Sequence, residues 1–95
     1  MECVQLVVIT RAAKKDLAKV PAHVRTKLAG WIYLVEARSL EWARKIPGYH
    51  DEPLRGNRAG QRSIRLSLQY RAIYVVRDDG AAEFVSIEEV TPHKY

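Results

Sequence analysis

Six arginines, Arg55, Arg58, Arg62, Arg65, Arg71 and Arg77, fall between Pro53 and Arg77, a stretch without aspartate, glutamate or lysine. A guanidinium grips a phosphate through a planar two-pronged fork, where a lysine offers a compact point charge. Such a run is often a solvated basic face, but alternation narrows the reading here. Ser63, Arg65 and Ser67 alternate with Ile64, Leu66 and Leu68, which predicts a strand with one polar and one apolar face. Arg71 opens the next segment, just beyond a tight turn near Ser67 to Gln69. In an antiparallel pair Arg65 and Arg71 come within cross-strand reach. Two guanidinium groups on one face repel unless an anion sits between them, and a phosphate would satisfy both. The alternative is two exposed arginines kept apart by water, or paired with Glu83 or Glu88.

Proton transfer needs other side chains. Glu52 stands just ahead of the arginine-rich segment, where a carboxylate could act as a general base, hold an arginine in place, or simply be solvated. His93 follows Pro92, whose ring limits the local backbone, and the last predicted strand leads directly to it. An imidazole with an ordinary pKa of about 6.5 gives and takes protons near neutral pH. The competing reading is a tail histidine with no task. His23, near a helix start, and His50, in a loop, are weaker candidates. No two histidines have ligand spacing, so no metal or other cofactor is expected. Tyr49, Tyr70, Tyr74 and Tyr95 offer rings for base stacking, although Tyr70 and Tyr74 could equally be core. Trp31 and Trp42 read as packing residues. Lys14, Lys15, Lys19, Arg25 and Lys27 form a second basic surface that could dock on an RNA-rich partner or merely be wet.

Several chemistries find no support. The single cysteine, Cys3, excludes an internal disulfide and a cysteine zinc site. There is no GxSxG, and Gly56-Asn57-Arg58-Ala59-Gly60 lacks the Lys-Ser/Thr of a phosphate-binding nucleotidase loop. Apolar runs such as Leu6 to Ile9 fall far short of the roughly 18 residues of a membrane span, and the start of the chain shows no export pattern. A cytoplasmic location without membrane contact is expected. The net charge of +5 favours a polyanionic partner without choosing between nucleic acid and an acidic protein.

The elements that must position these residues follow from periodicity. With 95 residues, 47% apolar and 28% charged, the chain is one ordered domain, residues 1–95. Val4 to Ile9 is nearly continuous in β-prone residues, as in a strand central to its sheet or covered on both faces. Thr10 is a helix N-cap, and Arg11 to Lys19 a short helix with Leu17 inward. Pro21 suits the first turn of a second helix running to about Trp42. Val24, Leu28, Trp31, Ile32 and Val35 form its buried stripe, and Gly30 allows close packing. Ile46 to Gly60 is a long loop, the kind that tends to be functional. Strands follow from Ser63, from Tyr70 to Arg77 and from Ala82 to Val90, with Asp78-Asp79-Gly80 as a hairpin turn. The order β-α-α-β-β-β is an α+β fold: an antiparallel sheet with a helical hairpin on one face.

That order, with Glu52-Pro53-Leu54-Arg55-Gly56, Arg62-Ser63-Ile64-Arg65-Leu66, Tyr70-Arg71-Ala72-Ile73-Tyr74 and Pro92-His93-Lys94-Tyr95, resembles the RelE/ParE superfamily of bacterial toxins. The likeness is strongest to the YoeB- and HigB-like ribonuclease branch and spans nearly the whole chain. The resemblance implies a RelE-like fold and a ribosome-dependent endonuclease that cuts mRNA in the A site of the 70S ribosome without a metal. It maps the catalytic glutamate to Glu52, the strand arginines to Arg65 and Arg71, and the C-terminal histidine to His93. In that reading RNA is cut by its own 2′-hydroxyl, with Glu52 as base, Arg65 and Arg71 as charge stabilisers, and His93 as acid, the base and acid being exchangeable. Arg55, Arg58, Arg62, Lys94 and Tyr95 are then candidate RNA contacts. YoeB-like members carry a tyrosine directly after the histidine, whereas Lys94 intervenes here. RelE uses lysines where this chain has Ser63 and Arg65. The resemblance also implies a cognate antitoxin, in HigB-like systems usually a helix-turn-helix DNA-binding protein. Two other functions are open to the same sequence: a ParE-like gyrase inhibitor, and a non-catalytic RNA- or protein-binding module.

Overall fold

A computed structural model describes residues 6–92. Cys3, Val4, His93, Lys94 and Tyr95 lie outside the described residues. Strand β1 (Leu6–Ile9) leads into helices α1 (Arg11–Leu17), α2 (Ala22–Ala37) and α3 (Leu40–Arg44). Strands β2 (Glu52–Pro53), β3 (Arg62–Arg65), β4 (Tyr70–Asp78) and β5 (Glu83–Pro92) follow, with single 3-10 turns at Pro47–Tyr49 and Gly56–Arg58 on either side of β2. The strands form one five-stranded sheet in the order β1-β5-β4-β3-β2. The α+β architecture and the antiparallel meander of β3, β4 and β5 are those expected. The sheet as a whole is mixed, because β1 runs parallel to β5.

Burial follows from which sheet face each residue takes. Val24, Leu28, Trp31 and Val35 of α2 pack with Ile64, Leu66, Ala72, Tyr74, Val85, Ile87 and Val90 from one face of the sheet. The Tyr74 ring lies 5.0 Å from that of Trp31, tilted by 45°. The other face carries the alternate residues, among them Arg65, Arg71 and Arg77.

Local chemistry explains the helix boundaries. The Thr10 hydroxyl accepts from the Ala13 N–H at 3.1 Å and donates to the Glu88 carbonyl at 3.2 Å, so one cap starts α1 and ties it to β5. Helix α1 ends at Leu17, earlier than expected, and Pro21 serves as N-cap of α2 rather than in its first turn. Helix α2 runs through Gly30, as expected, but a Cβ there would come 3.4 Å from the Tyr49 hydroxyl, an ordinary contact, so the packing does not require a glycine. Helix α2 does not reach Trp42; it stops at Ala37. Continuing straight, the buried stripe would carry Arg38 and Ser39 into the core. Instead the Ser39 hydroxyl accepts from the Trp42 N–H at 3.0 Å and starts α3, which buries Leu40 and Ala43.

Strand β1 is neither central nor doubly covered: it is an edge strand. Val7 and Ile9 pack toward the helices, while Leu6 and Val8 stay exposed on the open face. The free edge is guarded, since the Val7 N–H donates to Glu36 of α2 at 3.0 Å. The long loop is more ordered than its glycines and prolines suggest, because Glu52–Pro53 pairs with β3. Leu68 leaves the apolar face and is exposed in the turn, where the Ser67 hydroxyl accepts from the Gln69 and Tyr70 N–H groups. Gly80, with φ of +93°, closes the β4–β5 hairpin as its sequence predicts.

The two sides of α2 should therefore respond differently to truncation. Leu28→Ala, at a fully packed position, is expected to cost roughly 2–5 kcal/mol in urea unfolding. Tyr33→Ala, on the exposed side, should stay within about 0.5 kcal/mol of the parent.

Candidate active site

The cross-strand register sets the site. Arg65 of β3 lies directly opposite Arg71 of β4, and on the same face Glu52 of β2 lies opposite Ser63. Two unit charges about 4 Å apart repel by roughly 1 kcal/mol in water and about 4 kcal/mol where solvent is partly excluded. Among the described residues, neither Arg65 nor Arg71 has a counterion. Two carboxylates of β5 are engaged elsewhere: Glu88 pairs with Arg77 at 3.2 Å, and Glu89 with Arg58. Hydrogen bonds from Ser86 and Arg77 hold the Glu88 carboxyl below its ordinary pKa against the opposing effect of burial, the largest single influence. The Arg71 Nε–H is buried with no hydrogen-bond acceptor among the described residues. A buried, unpaired donor of this kind is costly, and an anion would satisfy it.

These groups line an open cleft, with His50, Glu52, Ser63, Arg65, Ser67, Tyr70 and Arg71 in its walls. His50 Nε2 lies 3.2 Å from Glu52 Oε1, so an imidazole and a carboxylate share one side of the cleft. No group of three or more His, Cys, Asp or Glu able to hold a metal ion occurs among the described residues.

The loop carrying His50 and Glu52 is held from behind. Asp51 points to the opposite side and is fully buried. It accepts from Arg62 Nε at 2.6 Å and from the Tyr74 hydroxyl at 2.5 Å, while that hydroxyl accepts from Arg44 Nε at 3.4 Å. Burial, reinforced by the bond to Asp51, pushes the Tyr74 phenol up to about 12. Burial works against the Arg62 charge, but the hydrogen bond and charge of Asp51 outweigh it and raise that pKa. His50 has left-handed backbone angles, φ 48° and ψ 53°, which cost a residue with a Cβ roughly 1–2 kcal/mol.

The residues singled out in the sequence are thus distributed unevenly. Glu52, Arg65 and Arg71 meet at the cleft. Arg62 does not: its guanidinium turns to buried Asp51. Arg58 is bound to Glu89 and Gln61, and Arg55 is exposed away from the cleft. Arg77 is taken by Glu88. Tyr49 and Tyr74 are buried and offer no face for stacking, whereas half-buried Tyr70 lines the cleft. The Tyr49 hydroxyl donates to the Lys27 carbonyl, and burial raises its pKa. His93, Lys94 and Tyr95 lie outside the described residues; Pro92, just before them, pairs with Tyr70 at the cleft rim. The histidine that the structure adds is His50. Its spacing carried no signal, because the left-handed backbone at His50 interrupts any extended alternation with Glu52.

No family model matches the sequence, and no curated protein is significantly similar to it. Solved structures do match. The YoeB/ParE toxin from Agrobacterium tumefaciens superposes with a TM-score of 0.68 at 21% identity, over 95% of this chain and 100% of that one. A chain of the toxin–antitoxin complex RelBE2 from Mycobacterium tuberculosis gives 0.67 at 25% identity, over 96% and 100%. A chain of the E. coli DinJ–YafQ toxin–antitoxin complex gives 0.69 at 21% identity, over 96% and 94%. The fold is that of the RelE/YoeB-like toxin superfamily.

The Tyr74 phenol yields a pH prediction. Its pKa is higher in the folded chain than the ordinary value of 10.0, so its contribution to stability is complete below pH 10 and is lost as the pH rises toward about 12. Unfolding free energy should fall across that window, and Tyr74→Phe should remove this part of the fall, read from paired denaturant titrations.

Proposed function

We propose that this protein is the toxin of a type II toxin–antitoxin module and that it cuts messenger RNA on the ribosome. The observation that carries the proposal is the juxtaposition, in a single cleft, of the Glu52 carboxylate and two arginines that have no counterion among the described residues, one with a buried Nε–H that has no acceptor among them. The likeness in fold to proteins described as toxins supports the module, and two of the matching structures are toxin–antitoxin complexes, which supports a cognate antitoxin as partner.

The chemistry follows from the groups. Glu52 takes the proton of a ribose 2′-hydroxyl, whose oxygen attacks the adjacent phosphorus. Arg65 and Arg71 carry the negative charge that builds on the phosphorane oxygens. The bond to the 5′-oxygen breaks, His93 supplies the proton that this oxygen needs, and a 2′,3′-cyclic phosphate and a 5′-hydroxyl result. Each proton-transfer partner can contribute about 10²–10⁴-fold. Positioning of the message is left to the ribosome, which lets so small a protein suffice. The site of action is then the cytoplasm, and no helix of the described residues is long and apolar enough to cross a membrane.

Primer extension on messages in translating ribosomes tests the reading. Cuts inside reading frames that vanish when translation is blocked are expected. Induced DNA damage without such cuts would instead mark a gyrase inhibitor, and steeply salt-dependent RNA binding without cleavage a passive binding module. Arg71→Ala should lower the cleavage rate by about 10²–10³-fold with the circular-dichroism spectrum unchanged. Glu52→Gln should lower it by about 10²–10⁴-fold.

A further inference from the structure

The loop that presents His50 and Glu52 has few fixings of its own. β2 is two residues long, and Pro53 has no N–H to give to the ladder. The His50 N–H donates to the Pro47 carbonyl at 3.0 Å, and the Leu54 N–H to the Gln61 carbonyl at 2.9 Å. Between these bonds the chain must hold a left-handed residue and aim two side chains into the cleft. The strongest contacts in the segment belong to the residue that faces away. Asp51 is fully buried and gathers Arg62 of β3 and Tyr74 of β4, with Arg44 of α3 donating to the same phenol oxygen. Tyr74 is in turn fixed against Trp31 in the core.

We infer that Asp51 is a positioning residue for the cleft: by locking its own side chain into the Arg62–Tyr74–Arg44 cluster, it sets the backbone so that His50 and Glu52 face Arg65 and Arg71. The step from anchor to aim is geometric. Glu52 opens β2 directly after Asp51, so with Asp51 pinned inward the next side chain is sent to the cleft side. The left-handed turn at His50 then brings its imidazole to the same side, 3.2 Å from Glu52. A cluster serving stability alone would not need to sit between the two cleft residues. It would also tolerate an apolar replacement, as buried ion pairs often do. This deepens the endonuclease reading, and rests on it for the kinetic measurement only.

Two variants test it. Asp51→Asn keeps the shape but weakens the grip on Arg62, and Tyr74→Phe removes one hydrogen bond while keeping the ring. The first measurement needs no activity. The distance from His50 Nε2 to Glu52 Oε1 is read from crystal structures of the parent and of each variant. The parent should show the 3.2 Å contact; in Asp51→Asn and in Tyr74→Phe it should lengthen or be lost. The second measurement is cleavage on translating ribosomes, at a temperature where circular dichroism shows every variant folded. Asp51→Asn should lower the maximal rate by about 10²-fold, as expected for a misaimed group, with the apparent KM for ribosomes unchanged. Tyr74→Phe should act in the same direction to a smaller extent. If both variants keep the parent's His50–Glu52 contact and its rate per folded molecule, Asp51 is a stability residue and the inference is overturned. If Asp51→Asn fails to fold, Tyr74→Phe decides alone. If the parent itself cuts nothing, the endonuclease reading falls, while the crystal structures still decide what Asp51 does.

Discussion

Everything at the cleft turns on the enforced proximity of two like charges. The β3–β4 register leaves Arg65 and Arg71 no choice of neighbour. A pair like this is tolerable in water and becomes worse as solvent is displaced. Glu88 and Glu89 of β5 could have relieved it, but each is committed to another arginine, Glu88 to Arg77 and Glu89 to Arg58, while Glu52 in the same cleft contacts His50. The charge balance is therefore local. Three of the cations between Pro53 and Arg77 are neutralised in place, and the two that face each other across the turn have no counterion among the described residues.

The helical layer matters to this arrangement through rigidity. Trp31 of α2 and Arg44 of α3 both reach Tyr74, one by ring contact and one by a hydrogen bond, and Tyr74 hands the constraint on to Asp51. The break of the second helix at Ser39 has a use here. It redirects the chain so that α3 can bury Leu40 and Ala43 while presenting Arg44 to the sheet. A buried ion pair contributes little net stability in general, because desolvation consumes most of its attraction. Its value in this loop is that it admits one geometry.

Much of this was legible in the residues, and what was not has physical causes. Alternation around Ile64 and the tight turn after it sufficed to bring Arg65 beside Arg71, because a two-residue period and a short connection leave little freedom. The stripe on α2 was equally plain. The failures share one origin: a side chain's partner depends on distant elements. The apolar run of β1 reads as buried on both faces, yet an edge position leaves Leu6 and Val8 exposed. Arg62 looks like its neighbouring arginines until Asp51, from another strand's approach, captures it. His50 sits in a loop dense with glycine and proline, where no periodicity warns that it shares a face with Glu52.

One irregularity reconciles the strand sequence with both faces of the sheet. Between Ile73 and Tyr74 the partners on β5 jump from Glu89 to Ile87, so Glu88 is an extra, bulged residue. Strict alternation from Ser86 would have sent Glu89 into the core and Val90 out of it. With the bulge, Ile87 and Val90 both remain buried, and Glu88 and Glu89 both reach the open face to take Arg77 and Arg58. The Thr10 cap stabilises the irregularity by bonding to the Ile87 and Glu88 carbonyls. The bulge also sets the register beyond it, with Thr91 opposite Arg71 and Pro92 opposite Tyr70. A slip of one residue would exchange the two faces of the strand end. The same feature that removes spare carboxylates from the arginine pair therefore also delivers the end of β5 to its rim.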